Sequence, residues 1–63
     1  MSKTIYVPPP VIVKELADRI GVSPYQLIHD LVGMNVFVRS EQTIEPEVAA
    51  FLCKKYGFRL EIK

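Results

Sequence analysis

Apolar residues recur with helical spacing in the first third of the chain. They are Val13, Leu16, Ala17 and Ile20. Side chains at i, i+3, i+4 and i+7 share one face of an α-helix, and Gly21 follows them, where a helix commonly ends with a positive φ. The pattern therefore predicts helix one. Ile12 before it offers no side-chain acceptor, although Glu15 stands at the N3 position of a capping box. Ile12→Thr is therefore expected to stabilise the domain by about 1 kcal/mol if Ile12 lies outside the core.

Helix two is marked by a capping box that contains a proline. Ser23 and Gln26 stand at the N-cap and N3 positions, and Pro24 stands at N1, where its missing N–H costs nothing. The predicted inner side of this helix carries Leu27, Ile28, Leu31 and Met34. Its end is predicted at Asn35, because asparagine tolerates the left-handed conformation. Gly33 is the competing stop.

Helix three is predicted over residues 46–56, with Gly57 as the residue that ends it. Pro46 occupies the first helical position. Acidic residues Glu45 and Glu47 flank it, beside the positive end of the helix dipole. The second half of the chain therefore contains one more helix.

Apolar and charged residues alternate at the C-terminal end, and this two-residue period predicts a strand over residues 58–62. Shorter strands are predicted at residues 11–12 and, from a β-branched and aromatic run, at residues 36–39. The element order is β-α-α-β-α-β. It predicts a small α/β fold, an α+β-like two-layer domain in which three helices pack on a small three-stranded sheet.

Three consecutive prolines at residues 8–10 separate an N-terminal stretch from this domain. They favour an extended polyproline conformation and lack backbone donors, so they do not lie inside a sheet. Residues 1–10 are interpreted as an extended, Pro-rich lead-in and residues 11–63 as the domain. Residues 5–7 have two options, packing back on the domain or pairing at a sheet edge.

Composition and charge limit the class of function. The chain has 63 residues, 49% of them hydrophobic, with a net charge of +1, which suits one small domain. A near-neutral charge excludes strong nucleic-acid binding by charge alone. No apolar run reaches the roughly 20 residues of a membrane span, and a single cysteine forms no internal disulfide. We therefore expect a cytoplasmic monomer without a membrane partner.

No sequence pattern for catalysis, a cofactor or a metal is present. The chain lacks a GxxxxGK[ST] loop, GxGxxG, HExxH and a paired Cys/His set, so we expect no enzyme activity and no cofactor. His29 is predicted to lie in solvent with Gln26 and Asp30, on the side of helix two away from its apolar face. Cys53 is predicted to be a buried, unreactive thiol.

Residues 16–31, with the sequence LADRIGVSPYQLIHDL, are compatible with a helix-turn-helix. However, the second helix carries no Arg or Lys to read bases or contact phosphates, and Asp30 repels phosphate. Two helices packed through the same turn geometry explain the pattern as well. A helix-turn-helix DNA-binding domain stays an alternative, and we expect no specific binding to duplex DNA.

The order of motifs from Val11 to Ile62 resembles the amino-terminal module of bacterial translation initiation factor 2. The motifs are VIVKELADRIGVSPYQLIHDLVGMNVFV, then residues 42–44, then EPEVAAFLCKKYGF before a closing strand. The resemblance implies three helices on a small sheet, similar to the stem-contact fold of some aminoacyl-tRNA synthetases. It implies a noncatalytic module that helps a translation factor contact the small ribosomal subunit. A GTPase domain is expected elsewhere in the full-length factor.

A contact surface is predicted around the end of helix three, where Phe51, Lys54, Lys55 and Arg59 are close in sequence. A helical phase that buries Ala49, Leu52, Cys53 and Tyr56 buries no charge and leaves Phe51 outside. An exposed aromatic beside cations suits stacking on an RNA base or anchoring a protein. The alternatives are a solvated helix end for the cations and, for Phe51, a ring that folds over the rim of the core or a scattered surface hydrophobe. A general protein-interaction module that uses exposed aromatics is the second competing function.

Overall fold

The computed structural model describes residues 3–63, so Met1 and Ser2 of the predicted lead-in lie outside the described residues. The elements in chain order are β1 (Lys3–Val7), β2 (Val11–Ile12), α1 (Val13–Ile20), α2 (Pro24–Gly33), β3 (Thr43–Ile44), α3 (Pro46–Lys55) and β4 (Phe58–Ile62). The chain is a small α+β domain in which the three predicted helices are present.

Local signals specify the helix ends. Gly21 and Gly57 follow α1 and α3 with φ of 88° and 84°, the region where glycine avoids a steric cost. The hydroxyl of Ser23 accepts a hydrogen bond from the N–H of Tyr25 at 3.2 Å and caps α2. Helix α2 ends at Gly33, the competing stop, and Asn35 takes a φ of 63° in the turn beyond it.

The sheet differs from the predicted single sheet of three strands. The strands form two separate two-stranded sheets, with β1 parallel to β4 and β2 antiparallel to β3. The predicted strand at residues 36–39 is wrong, because this segment has no strand partner and Val11 pairs with Ile44 instead. The β-branched and aromatic run at 36–39 indicates a local preference for extended backbone. It does not reveal whether another strand pairs with that backbone.

A tight turn at residues 39–42 brings β3 to β2. The Arg39 N–H donates to the side-chain Oε1 of Gln42 at 2.8 Å, and the Gln42 N–H donates back to the Arg39 carbonyl at 3.1 Å. The chain reverses here, so Thr43 meets Ile12. The turn explains why β3 begins at Thr43 and not at residue 36.

Strand β1 lies within the predicted lead-in and pairs along its whole length with β4, in a register that sets Ile5 opposite Leu60. Both options for residues 5–7 are realised, because these residues pair with β4 and Ile5 and Val7 pack on the core. Val7 is 1% exposed and belongs to the core. The division of the chain into a lead-in and a domain stays a prediction.

The core forms where the three helices meet the two sheets. Its largest fully buried side chains are Leu16, Leu27, Leu31, Leu52, Val7, Val11, Val13 and Cys53. Every helix therefore contributes at least one fully buried leucine. Burying such a side chain stabilises a fold by roughly 1.5–3 kcal/mol, which is large against the total stability of a domain of this size.

The N-terminus of α1 is capped by a loop and not by a side chain. Ile12 is the N-cap residue and makes no side-chain hydrogen bond. The Val13 N–H donates to the Gln42 carbonyl at 3.1 Å, and the Lys14 N–H donates to the Ser40 carbonyl at 2.8 Å. A threonine at the N-cap accepts from the N–H of the second or third helical residue, and the first of these, the Lys14 N–H, is therefore already paired.

This capping corrects the expected gain from Ile12→Thr. We expect the free energy of unfolding to change by less than about 0.5 kcal/mol. The hydrogen bond that a threonine would make to the one remaining donor is offset by the loss of the half-buried Ile12 side chain. Ser23→Ala is the matched comparison, since it removes a side-chain cap that is present, and it is expected to cost about 1 kcal/mol. Urea denaturation measures both. A gain of about 1 kcal/mol from the threonine would contradict this account.

Candidate binding surface

The phase of α3 determines which of its side chains meet solvent. Ala49, Leu52 and Cys53 are fully buried, whereas Phe51 is 57% exposed. Lys54 is exposed as well. The predicted phase is confirmed, and it places an aromatic ring and a cation on the outer side of the helix one turn apart.

Two of the predicted contact residues line one groove. The groove has a volume of about 460 Å³ and is lined by Thr4, Ala50, Lys54, Phe58, Arg59 and Leu60. It forms because the turn at Gly57 returns the chain from the end of α3 directly into β4. Lys54 from α3 and Arg59 from β4 therefore line the same groove. Phe51 lies outside the groove lining, on the same helix as Lys54.

Arg59 keeps most of its side chain in water. Its Nε lies 3.7 Å from an oxygen of Glu61, and the side chains are 74% and 44% exposed. An ion pair that is this exposed contributes little to stability and holds the guanidinium weakly. Arg59 is therefore available to a ligand of the groove.

Lys55 differs from Lys54, because it already has an anionic partner. Its Nζ lies 2.9 Å from Oδ1 of Asp30 on α2. The hydroxyl of Tyr56 donates to Oδ2 of the same carboxylate, and Nε2 of Gln26 lies 3.5 Å from Oδ1. The end of α3 therefore presents Lys54 outward, while Lys55 ties α3 to α2.

The position of Asp30 corrects the sequence interpretation, which placed it in solvent with Gln26 and His29. The side chain of Asp30 is only 6% exposed, because it turns toward α3 and receives hydrogen bonds from Lys55 and Tyr56. His29 is exposed as expected. His29 and Asp30 are adjacent on α2, so their side chains point about 100° apart. The carboxylate therefore faces α3, whereas the imidazole faces solvent.

The hydrogen bonds of this cluster shift three pKa values in consistent directions. The Lys55 ammonium and the Tyr56 hydroxyl both hold the pKa of Asp30 below its usual 3.8, and burial opposes them. The hydrogen bond to Asp30 raises the pKa of Lys55 and the pKa of Tyr56. All three shifts favour an ionised carboxylate that is bound by a charged lysine and a protonated phenol.

Cys53 lies under this surface and takes no part in it. Its side chain is fully buried, and burial raises the pKa of the thiol to about 11. Among residues 3–63, no group of three or more His, Cys, Asp or Glu side chains is arranged to hold a metal ion. No helix in this part of the chain is long and apolar enough to cross a membrane.

A second exposed surface was missed by the sequence interpretation. Phe37 is 74% exposed and Val32 is 45% exposed. Both line an open cavity of about 310 Å³ with Val38, Arg39 and Gln42. The signal in the sequence was an aromatic residue between two valines and close to an arginine. A strand prediction for this run does not reveal that the ring is exposed.

Comparison with known proteins decides the family. Residues 8–59 match the family described as translation initiation factor IF-2, N-terminal region. The chain is 34% identical over 59 residues to translation initiation factor IF-2 of Caldanaerobacter subterraneus, and the match covers 94% of this chain and 8% of that protein. It is 33% identical over 61 residues to the Aquifex aeolicus factor of the same name, covering 97% of this chain and 8% of the relative.

The chain belongs to the IF-2 N-terminal region family. All four predicted contact residues of this IF-2 N-terminal module lie inside the matched range, and so do the three helices. All of β1 lies before that range. The IF-2 N-terminal module spans about 8% of the length of the curated relatives that it matches.

Asp30→Asn tests the cluster that joins α2 to α3. Because folding lowers the pKa of Asp30 below 3.8, its contribution to stability is present above about pH 4 and is lost as the pH falls through the folded value. At pH 7 the variant is expected to be less stable by about 1 kcal/mol. As the pH falls below 3.8, the difference is expected to shrink. Chemical denaturation across this pH range measures it.

Asp18→Asn is the matched control, since Asp18 is exposed on α1 and has no hydrogen bond or ion pair with the residues that the structure describes. It is expected to leave both the stability and its pH dependence nearly unchanged. Equal effects of the two variants would contradict the assigned role of Asp30.

The thiol of Cys53 is expected to be unreactive in the folded protein. With a pKa of about 11, its thiolate fraction at pH 8 is roughly 100-fold smaller than that of a free cysteine, and burial further blocks access. Iodoacetamide labelling followed by mass spectrometry is the measurement, with the protein in guanidinium chloride as the reactive reference. Labelling at similar rates in both conditions would show that Cys53 is accessible.

Proposed function

We propose that this chain is a noncatalytic module of a bacterial translation initiation factor and that it assists contact with the small ribosomal subunit. The observation that carries the proposal is the family match over residues 8–59. In this proposal the module works in the cytoplasm as a monomer without a cofactor. A GTPase domain of the same full-length factor carries the nucleotide chemistry.

The proposed contact surface consists of Phe51, Lys54 and Arg59, with Lys55 at its margin. Phe51 offers an exposed aromatic face, and Lys54 and Arg59 offer positive charge beside it. Aromatic rings and cations together suit both ribosomal RNA and an acidic protein. Lys55 contributes less directly, because its ammonium is held by Asp30.

One observation favours the competing general protein-interaction function. Phe37 and Val32 expose a second apolar surface at a distance along the chain from the proposed contact residues. No comparable observation favours the helix-turn-helix alternative, since α2 presents Tyr25 to solvent and contains no Arg or Lys. Affinity for mixed-sequence duplex DNA is expected to be about 0.1 mM or weaker at physiological salt.

Binding of the chain to purified small ribosomal subunits tests the proposal. We expect Lys54→Glu combined with Arg59→Glu to weaken binding about tenfold or more, because two attractive charges become repulsive. The matched control is Lys14→Glu, a charge reversal at an exposed lysine on α1, which is expected to have little effect. Sedimentation with labelled protein at two salt concentrations is a suitable measurement.

Phe51→Ala separates the partner classes within the same assay. Loss of binding that depends steeply on salt and on the charge reversal indicates RNA. Loss with Phe51→Ala alone indicates a protein partner. Unchanged affinity in all of these variants would exclude this surface, and no binding by the wild-type chain would contradict the proposed function itself.

A further inference from the structure

The parallel sheet has two outer edges, one on β1 and one on β4. On the outer edge of β1, the Tyr6 carbonyl accepts a hydrogen bond from the Arg19 guanidinium of α1. Among residues 3–63, no strand pairs with β4 on its other side, since its sheet contains two strands. Natural proteins usually protect such edges, because unpaired backbone groups bind other extended chains.

The register shows which backbone groups of β4 are unpaired. The Lys3 N–H donates to the Gly57 carbonyl at 3.3 Å, and the Lys63 N–H donates to the Val7 carbonyl at 3.0 Å. In a parallel ladder, alternate residues direct both backbone groups to the same side. The odd-numbered residues of β4 therefore face β1. Phe58, Leu60 and Ile62 direct their N–H and C=O groups to the open side.

Two of the residues whose backbone groups point to the open side, Phe58 and Leu60, line the groove described above, together with Thr4 of the paired strand β1. The lining of that groove includes Phe58 and Leu60 from the strand and Ala50 from α3, which give an apolar surface. Its charged lining residues are Lys54 and Arg59, and no acidic residue lines it. The groove thus combines a strand edge, a small apolar surface and two cations in one place.

We infer that β4 binds an extended peptide segment with acidic side chains, which adds to the sheet as a third strand. An extended backbone is the ligand whose donors and acceptors match three unpaired positions at two-residue spacing. The charge of the groove selects acidic side chains on that segment. RNA lacks this backbone pattern, so the observations favour a protein partner. The inference deepens the proposed function and rests on it, because that function assigns the partner to the small ribosomal subunit.

Amide hydrogen exchange of the whole chain, measured by NMR, tests the inference directly. The probe is a short acetylated peptide of alternating valine and glutamate. We expect it to slow exchange at the amides of Phe58, Leu60 and Ile62. The amides of Arg59 and Glu61 are internal controls, because they already face β1, and their exchange is expected to change little.

Three matched peptides and one oligonucleotide identify the mode of binding. A peptide with lysine in place of glutamate is expected to bind about tenfold or more weakly. Of two peptides that are N-methylated at alternate backbone positions, one is expected to lose about tenfold in affinity and the other to bind normally, because only one set of N–H groups faces the edge. Equal binding of the two N-methylated peptides, no protection of the three amides, or protection by oligouridine in place of the acidic peptide would overturn the inference.

A variant pair tests the same edge from the protein side. Ile62→Pro removes an outward N–H, a change that edge strands tolerate, whereas Ile62→Ala keeps the N–H and shortens the side chain. We expect the proline variant to weaken peptide binding more than the alanine variant. Similar affinities would overturn the inference. If the peptide binds as expected but the chain does not bind small subunits, the strand edge stands and the proposed function fails.

Discussion

The parallel pairing of β1 with β4 joins the two ends of the chain, and the other features of the fold depend on it. Pairing over such a separation in sequence carries a loop-closure cost, which is offset by burial of Val7 and partial burial of Ile5, Phe58 and Leu60. Since β4 follows α3 through a single tight turn, holding β4 in place also orients α3. The groove between the helix and the strand is a result of this pairing.

The helices could be predicted from the sequence because their signals are local. Apolar periodicity, a proline at the first position and a glycine at the end all lie within a few residues of the element that they specify. The pairing of strands depends on residues distant in sequence, and nothing near residues 36–39 shows that Val11 pairs with Ile44. Similarly, the pattern of residues 5–7 left open whether they pair at a sheet edge or pack back on the domain, and the structure shows that they do both.

The candidate surface was also predictable from the sequence only in part. The exposure of Phe51 followed from helical phase, because only one rotation of α3 buries no charge. The pairing of Lys55 with Asp30 did not follow, since it depends on the distance between α2 and α3. Two adjacent lysines that look equivalent in sequence therefore have different roles, one structural and one open to solvent. The unprotected edge of β4 was equally hidden, because sheet edges are a property of topology.

The loop carbonyls that cap α1 have a consequence for dynamics. Ser40 and Gln42 accept hydrogen bonds from the first two N–H groups of α1, and the same loop carries the exposed Phe37 a few residues earlier. Any opening of residues 39–42 would leave the helix without its cap and fray its first turn, so the loop and the helix start form one cooperative unit. A molecule that bound Phe37 and held the loop closed would slow the opening of α1, although it touched no residue of that helix.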